Sequence, residues 1–119
     1  MTDSRALDVL AIGESLGLLV PDRTGRLLSG ADLRLGFGGT ESNVAIGVAR
    51  LGGVSAWAGR LGADAVGDLI LRELRAESVA TFAARDDSVA TALMLKERPH
   101  PGTSRVTYYR RGFAGSRLQ

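Results

Sequence analysis

Residues 36–43 read Gly-Phe-Gly-Gly-Thr-Glu-Ser-Asn and stand between an apolar strand pattern and a helical pattern. Consecutive glycines let a backbone approach a ligand without a Cβ in the way, and the free N–H groups of a helix start favour an oxygen-rich or anionic group. Asn43, one turn into the helix, adds a donor and an acceptor suited to hydroxyl groups. The stretch therefore predicts a site for a small polar ligand. Spacing alone is equally consistent with a tight turn followed by a solvated Asn43.

Two familiar phosphate-binding motifs do not fit this stretch. A dinucleotide fingerprint Gly-x-Gly-x-x-Gly needs glycine at position 41, where Glu41 stands, and a Walker loop needs a Gly-Lys-Ser/Thr sequence that the chain lacks. The dinucleotide-binding and the Walker-loop interpretations are therefore both weakened. A Rossmann-type nucleotide-binding domain is kept as an alternative, which requires binding of a nicotinamide or flavin cofactor.

The 119 residues are 45% hydrophobic and 24% charged, which is the composition of one folded domain or part of one. The net charge is +2, and arginines and carboxylates are interspersed. Nucleic-acid binding needs a clustered basic face, so we predict no nucleic-acid partner. No apolar run reaches the ~18 residues that cross a bilayer, and the N-terminus lacks an apolar signal core. We therefore expect a cytoplasmic protein with no membrane partner.

The chain contains no cysteine and one histidine, which limits its chemistry. Disulfides, thiolate catalysis and cysteine-based zinc sites are excluded, and we predict no metal site. His100 stands between Pro99 and Pro101 and is followed by Gly102, a composition that predicts an exposed turn.

Apolar periodicity predicts the order β, β-β, α, β, α, followed by a hairpin. The first helix begins near Thr40 or Ser42 and ends at Gly52, and Asp64 introduces the second. The strands that precede or separate the helices are predicted at residues 7–13, 16–20, 33–37 and 54–59. Beyond Ser78 the apolar period changes to two, and residues 91–96 and 106–111 flank a Pro-Gly turn.

The first helix carries small and branched residues at the 3.6-residue period. We predict that its Val44, Val48 and Leu51 side lies against the sheet. We also predict a close backbone approach at Gly47, so that a leucine there would be poorly tolerated.

The pattern Gly38-Gly39-x-x-x-Asn43-x-Ala45, followed by Gly52 and Gly62, resembles the first signature of ribokinase-like (PfkB) carbohydrate kinases. The resemblance extends over nearly the whole chain. Gly13-Glu14 near its start and Tyr108-Tyr109-Arg110 near its end are most similar to 2-keto-3-deoxygluconate kinases.

The resemblance implies an α/β, ribokinase-like fold with a central, mainly parallel sheet flanked by helices and a small β-lid. Residues 1–119 would be the N-terminal part of a single kinase domain, with the lid strands within about 14–38 and 80–111. In such kinases the catalytic aspartate, in a Gly-Ala-Gly-Asp-type motif, and the ATP site lie in the second half. That motif is absent here. We therefore expect ATP and Mg²⁺ to act only in the complete protein, and no catalytic residue in this chain.

The resemblance also implies which residues bind substrate: Gly38, Gly39 and Asn43, with Tyr108 and Arg110 from the Tyr-Tyr-Arg strand. Strand geometry places Tyr108 and Arg110 on one face and Tyr109 and Arg111 on the other. An arginine suits a carboxylate, which favours a sugar acid over a neutral sugar.

Three positions depart from the pattern of the family. Glu41 stands where the signature prefers a small residue, and Met94 stands where a substrate-contacting tyrosine is expected. Ser78 replaces a glycine of a Glu-Gly-Val sequence and would cost ~1 kcal/mol in a left-handed cap. A different class of protein stays open, namely a stand-alone, non-catalytic sugar-binding or dimerisation module. A homodimer that forms through the β-lid is a further expectation.

Overall fold

The computed structural model describes residues 6–110 and 112–114, which form seven strands and two helices. In chain order the elements are β1 (Val9–Ile12), β2 (Leu16–Pro21), β3 (Leu33–Gly38), α1 (Thr40–Arg50), β4 (Ser55–Gly62), α2 (Ala65–Ala76), β5 (Ala80–Asp86), β6 (Leu93–Glu97) and β7 (Arg105–Tyr109). They form two sheets, a body sheet in the order β1-β4-β5 and a lid sheet in the order β3-β2-β6-β7.

The body sheet is parallel throughout and packs both helices on one of its faces. Trp57 and Leu61 of β4 are fully buried against Ile70 and Leu74 of α2. On the α1 side, the Ser55 hydroxyl donates to the carbonyl oxygen of Ala45 at 2.6 Å. The parallel sheet flanked by helices, expected from the sequence, is confirmed.

The lid sheet joins two antiparallel hairpins, β2–β3 and β6–β7, through parallel pairing of β2 with β6. Its cross-strand rows alternate between two faces. One row consists of Gly36, Leu18, Met94 and Tyr108, and the next row, on the opposite face, begins Leu35, Leu19 and Leu95. We call the face of Met94 and Tyr108 the cavity face and the face of Leu35 the outer face.

Strand β5, which the apolar pattern does not predict, lies at the start of the range 80–111 and pairs with β4 in the body sheet. It follows α2, and a strand–helix–strand crossover returns the chain parallel to the strand it left. Val79, just before β5, is buried in the core. The described lid strands are therefore only those at 16–21, 33–38, 93–97 and 105–109.

The predicted sheet-facing side of α1 is wrong. Val44 is 48% exposed and Leu51 is 91% exposed, whereas Ser42 and Ala45 are completely buried. The side of α1 that packs against the core is instead the one that carries Ala45, Ile46 and Ala49. A Cβ on Gly47 would meet no atom within 4 Å, so the expected overpacking at Gly47 is also wrong.

The N-terminus of α1 also differs from expectation, because its N-cap is Gly39 and no side chain caps it. Gly39 has φ 149°, and a Cβ there would lie 2.5 Å from the carbonyl oxygen of Glu14. Both the backbone angle and the close approach require glycine at this position. The first turn of α1 is therefore held directly against the β1–β2 connection.

His100 is exposed in the turn between β6 and β7, as predicted. In the part of the chain that the structure describes, neither helix is long and apolar enough to cross a membrane.

Candidate functional site

A cavity of about 380 Å³ lies between the cavity face of the lid sheet and the N-terminus of α1. Four of the five predicted ligand residues line it: Gly39, Asn43, Tyr108 and Arg110. Gly38 is buried beside it, and a Cβ on Gly38 would lie 3.3 Å from the methyl carbon of Met94, which also lines the cavity. The structure thus brings together residues from opposite ends of the chain.

A pair of buried serines supports the glycine turn from behind. Ser15 is 1% exposed, and its hydroxyl lies 3.4 Å from both the carbonyl oxygen of Gly38 and the hydroxyl of Ser42. The Ser42 hydroxyl donates to the carbonyl oxygen of Gly39 at 3.0 Å. These contacts hold the backbone of the turn, and the first N–H groups of α1 have no partner within the helix.

Tyr108 and Arg110 act as one unit at the edge of the cavity. The guanidinium carbon of Arg110 lies 4.4 Å from the centre of the Tyr108 ring, in cation–π geometry. This contact agrees with the prediction that the two side chains share a face. Arg111, which was predicted to point the other way, lies outside the described residues.

Arg110 also contacts Glu14, whose carboxylate lines the same cavity. The Arg110 Nη1 and Glu14 Oε1 atoms are 3.4 Å apart, with the arginine side chain 52% exposed and the glutamate 20% exposed. Such a long and partly solvated ion pair is weak, so a ligand can compete with it.

Glu41 is a second carboxylate in the cavity wall. Its side chain lies directly on the backbone of Gly13, where a Cβ would collide with it. Among the described residues that line the cavity, Arg110 is the one cation, and Glu14 and Glu41 are the two anions.

Glu14, Ser15 and Glu41 are not among the ligand residues predicted from the sequence. A signal for Glu14 was present, because it follows the carboxyl end of the parallel strand β1, the edge where α/β sheets bind ligands. The sequence contains no comparable signal for Ser15 and Ser42, because a buried serine that supports a turn cannot be distinguished from an exposed serine by sequence alone.

Residues 13–17, Gly-Glu-Ser-Leu-Gly, also match the Gly-x-Ser-x-Gly spacing of a hydrolase nucleophile elbow. The geometry does not support that chemistry. Ser15 is buried against the Gly38 carbonyl oxygen, and the one histidine of the chain is in the β6–β7 turn. Across residues 6–110 and 112–114, no group of His, Cys, Asp or Glu side chains could hold a metal ion.

Another cavity, of about 340 Å³, lies under the β2–β3 loop and reaches Glu97. It contains none of the predicted ligand residues, and apart from Pro21 and Glu97 it is lined by residues of that loop. The cavity at α1 is therefore the candidate site.

Residues 6–114 match the family model described as pfkB family carbohydrate kinase. The chain belongs to this family. The resemblance carried by the Gly38-Gly39 signature is thereby confirmed. Membership of the pfkB family takes the place of the Rossmann-type alternative.

Two pfkB relatives illustrate the likeness. The 2-dehydro-3-deoxygluconokinase of Bacillus subtilis is 38% identical over 114 residues, which cover 94% of this chain and 35% of the relative. The crystal structure of a PfkB protein from Polaromonas sp. JS666 superposes with a TM-score of 0.85 at 38% identity, covering 94% of this chain and 38% of that one.

The structure of a third relative contains a bound nucleotide. The crystal structure of fructokinase with bound ATP from Xylella fastidiosa has a TM-score of 0.79 and 29% identity, covering 90% of this chain and 34% of that one. These superpositions confirm the ribokinase-like fold. The chain spans about a third of the length of the pfkB relatives it matches.

Proposed function

We propose that residues 1–119 form the sugar-binding N-terminal part of an ATP-dependent sugar-acid kinase of the 2-keto-3-deoxygluconate kinase type. The observation that carries the proposal is that Arg110, stacked on Tyr108, lines the same cavity as Asn43 and the start of α1. A guanidinium can bind a substrate carboxylate through two charge-assisted hydrogen bonds. The Asn43 amide and the N–H groups at Gly38, Gly39 and the first turn suit the sugar hydroxyl and keto oxygens.

The phosphoryl-transfer step belongs to the complete protein. ATP, when bound, supplies the phosphoryl group, and Mg²⁺ neutralises its charge. The described residues fit neither group, because they include no metal site and the sequence has no Gly-Ala-Gly-Asp-type motif. We place that chemistry in the two thirds of the relatives' length that this chain does not span.

A kinase for a neutral ketose is the second candidate. Glu14 and Glu41 give the cavity wall two carboxylates against one guanidinium, which favours an uncharged, hydroxyl-rich ligand. The fructokinase among the structural relatives points the same way. A non-catalytic sugar-binding module would use the same cavity but show no phosphoryl transfer once the chain is completed.

The test compares two arginines in a kinase that carries residues 1–119 followed by the remaining two thirds of a pfkB kinase. Arg110→Ala should raise KM for 2-dehydro-3-deoxygluconate and lower kcat/KM at least ~10-fold, the scale of a charged hydrogen bond. Arg105→Ala is the matched control, because Arg105 begins the strand that ends just before Arg110 but pairs with Glu97 outside the cavity. Residues 1–119 alone serve as the blank and should not turn over.

Three results would contradict the proposal. Equal losses at Arg110 and Arg105 would show a general effect on the hairpin, and full activity of Arg110→Ala on the sugar acid would remove the carboxylate assignment. A loss on fructose as large as the loss on the acid would favour the neutral-sugar candidate. We also expect Arg111→Ala to do much less than Arg110→Ala.

A further inference from the structure

The cation of the cavity wall is already in contact with a carboxylate of the protein. Glu14 Oε1 lies 3.4 Å from Arg110 Nη1, and both side chains line the cavity. Arg110 is held from a second side by the ring of Tyr108 at 4.4 Å. A substrate carboxylate that binds Arg110 must therefore do so beside Glu14.

The backbone of Glu14 is held on both sides, which keeps its carboxylate within reach of the cavity. The N–H of Gly13, just before it, donates to the carbonyl oxygen of Ala58 at 3.1 Å. The carbonyl oxygen of Glu14 itself lies against Gly39, where a Cβ would approach to 2.5 Å. A ligand in the cavity therefore meets Glu14 through its side chain.

Arg110 retains donors for a ligand while Glu14 is in place. A guanidinium has five N–H donors in a fixed fork, and the contact with Glu14 uses only the Nη1 end at a long distance. A substrate carboxylate can therefore reach the remaining donors, but its charge then lies close to that of Glu14. Like charges repel, and at a partly solvated site the repulsion is weakened without being removed.

We propose that Glu14 is a specificity-determining residue that sets the discrimination between a sugar acid and a neutral sugar. Its carboxylate competes with the substrate carboxylate for Arg110 and so weakens binding of the acid relative to the neutral sugar. The inference rests on the proposed function, because it assumes that the substrate binds at Arg110.

The experiment measures KM for 2-dehydro-3-deoxygluconate and for fructose in the completed kinase, with Glu14→Gln and Glu14→Ala. We expect the ratio of the acid KM to the fructose KM to fall about two- to fivefold in both variants, the range of a partly exposed ion pair. Because the ratio is taken within each variant, any loss of folded protein cancels. Glu97→Gln is the matched control: it breaks the 3.3 Å pair with Arg105 on the same hairpin, outside the cavity, and should leave the ratio unchanged.

A double-mutant cycle shows whether Glu14 acts through Arg110. In an Arg110→Ala background, Glu14→Gln should no longer change the ratio. A ratio that still falls in that background would overturn the competition proposed for Glu14.

The remaining outcomes separate the two proposals. If Arg110→Ala leaves the KM for the sugar acid unchanged, Arg110 does not bind the substrate carboxylate and the proposed function is wrong. If Arg110→Ala weakens the acid but the Glu14 variants leave the ratio unchanged, only the role of Glu14 fails. A ratio that rises in Glu14→Ala and not in Glu14→Gln would show that Glu14 holds Arg110 in place by a hydrogen bond, which is the opposite of competition.

Discussion

Ser78 has a left-handed backbone, with φ 64°, and no other non-glycine residue in the described chain has a positive φ. It follows α2, where its N–H donates to the carbonyl oxygen of Arg75 and the N–H of Val79 donates to that of Leu74, both at 3.0 Å. The left-handed cap predicted from the sequence is therefore confirmed. The burial of Val79 and these two hydrogen bonds hold the serine in a conformation that costs about 1 kcal/mol.

Replacing Ser78 by glycine should remove that cost. We expect Ser78→Gly to raise the free energy of unfolding by about 1 kcal/mol, because glycine adopts positive φ without a Cβ clash. Urea denaturation of the chain measures the change. Ser29→Gly, an exposed serine with ordinary φ, is the control and should give no gain. An equal gain at both serines would show that strain at Ser78 is not the cause.

Among the elements, the start of α2 is joined to the lid through Asp64. One carboxylate oxygen of Asp64 accepts from the N–H of Gly67 and from the Thr91 hydroxyl, and the other accepts from the N–H of Thr91, all at 2.8 Å. Thr91 stands just before β6 and also accepts from the N–H of Gly62 at 2.9 Å. Asp64 thus caps the helix and fixes the point where the chain enters the second lid hairpin.

These contacts change the protonation of Asp64. Burial alone would raise its pKa, but the N–H groups of Thr91 and Gly67, the Thr91 hydroxyl and the positive charge of Arg85 together lower the pKa below the ordinary value. Since the pKa is lower in the folded than in the unfolded state, the stabilisation is fully present above the unfolded-state pKa. It is lost as the pH falls through the folded-state pKa.

Asp64→Asn should lower the free energy of unfolding by about 1–3 kcal/mol at neutral pH, because one oxygen acceptor becomes a donor facing the N–H of Thr91. The difference from the unchanged chain should shrink below about pH 4, where the aspartate begins to protonate. Denaturation at several pH values measures both effects. Asp68→Asn is the control, since Asp68 is 62% exposed and makes one ion pair with Arg85. A constant difference across pH would contradict the role of the Asp64 charge.

For the whole molecule, the two faces of the lid sheet have different surroundings. Both faces expose apolar side chains, but only the cavity face carries Met94 and Tyr108 beside the candidate site. Leu33, Leu35 and Tyr109 on the outer face are 42%, 49% and 50% exposed. The homodimer through the β-lid stays a prediction, and this outer face is the surface that a second copy would cover.

Leu35→Glu should shift a dimer to monomer, because the change places a charge in the middle of the apolar outer face. Sedimentation velocity at several protein concentrations measures the change. Leu51→Glu is the control, because Leu51 is 91% exposed at the end of α1, away from the lid. A sedimentation coefficient that stays monomeric in the unchanged chain, or falls equally in both variants, would exclude this interface.

Sequence periodicity predicted six of the seven described strands, both helices and the β6–β7 hairpin, but neither strand β5 nor the side of α1 that is buried. Val44, Val48 and Leu51 form an apolar stripe as regular as the one that contains Ala45 and Ala49. The tertiary packing buries the side that contains Ala45 and Ala49, where the Ser55 hydroxyl of β4 also bonds to the Ala45 carbonyl oxygen. Strand β5 is not predicted from the apolar pattern, and its pairing with β4 depends on the crossover through α2 rather than on its own residues.

The family, the glycine turn before α1 and the order of all described elements except β5 follow from the sequence alone. These depend on residues a few positions apart, such as Gly38, Gly39 and Asn43, whose backbone freedom and spacing are local properties. The contact between Glu14 and Arg110, which are 96 positions apart, depends on how the chain folds and is not visible in the sequence. That contact requires β2 to pair with β6 and β6 with β7, which brings the β1–β2 connection beside the end of β7. The charge balance of the site follows from this pairing, because electrostatic interaction depends on distance in space and not along the chain.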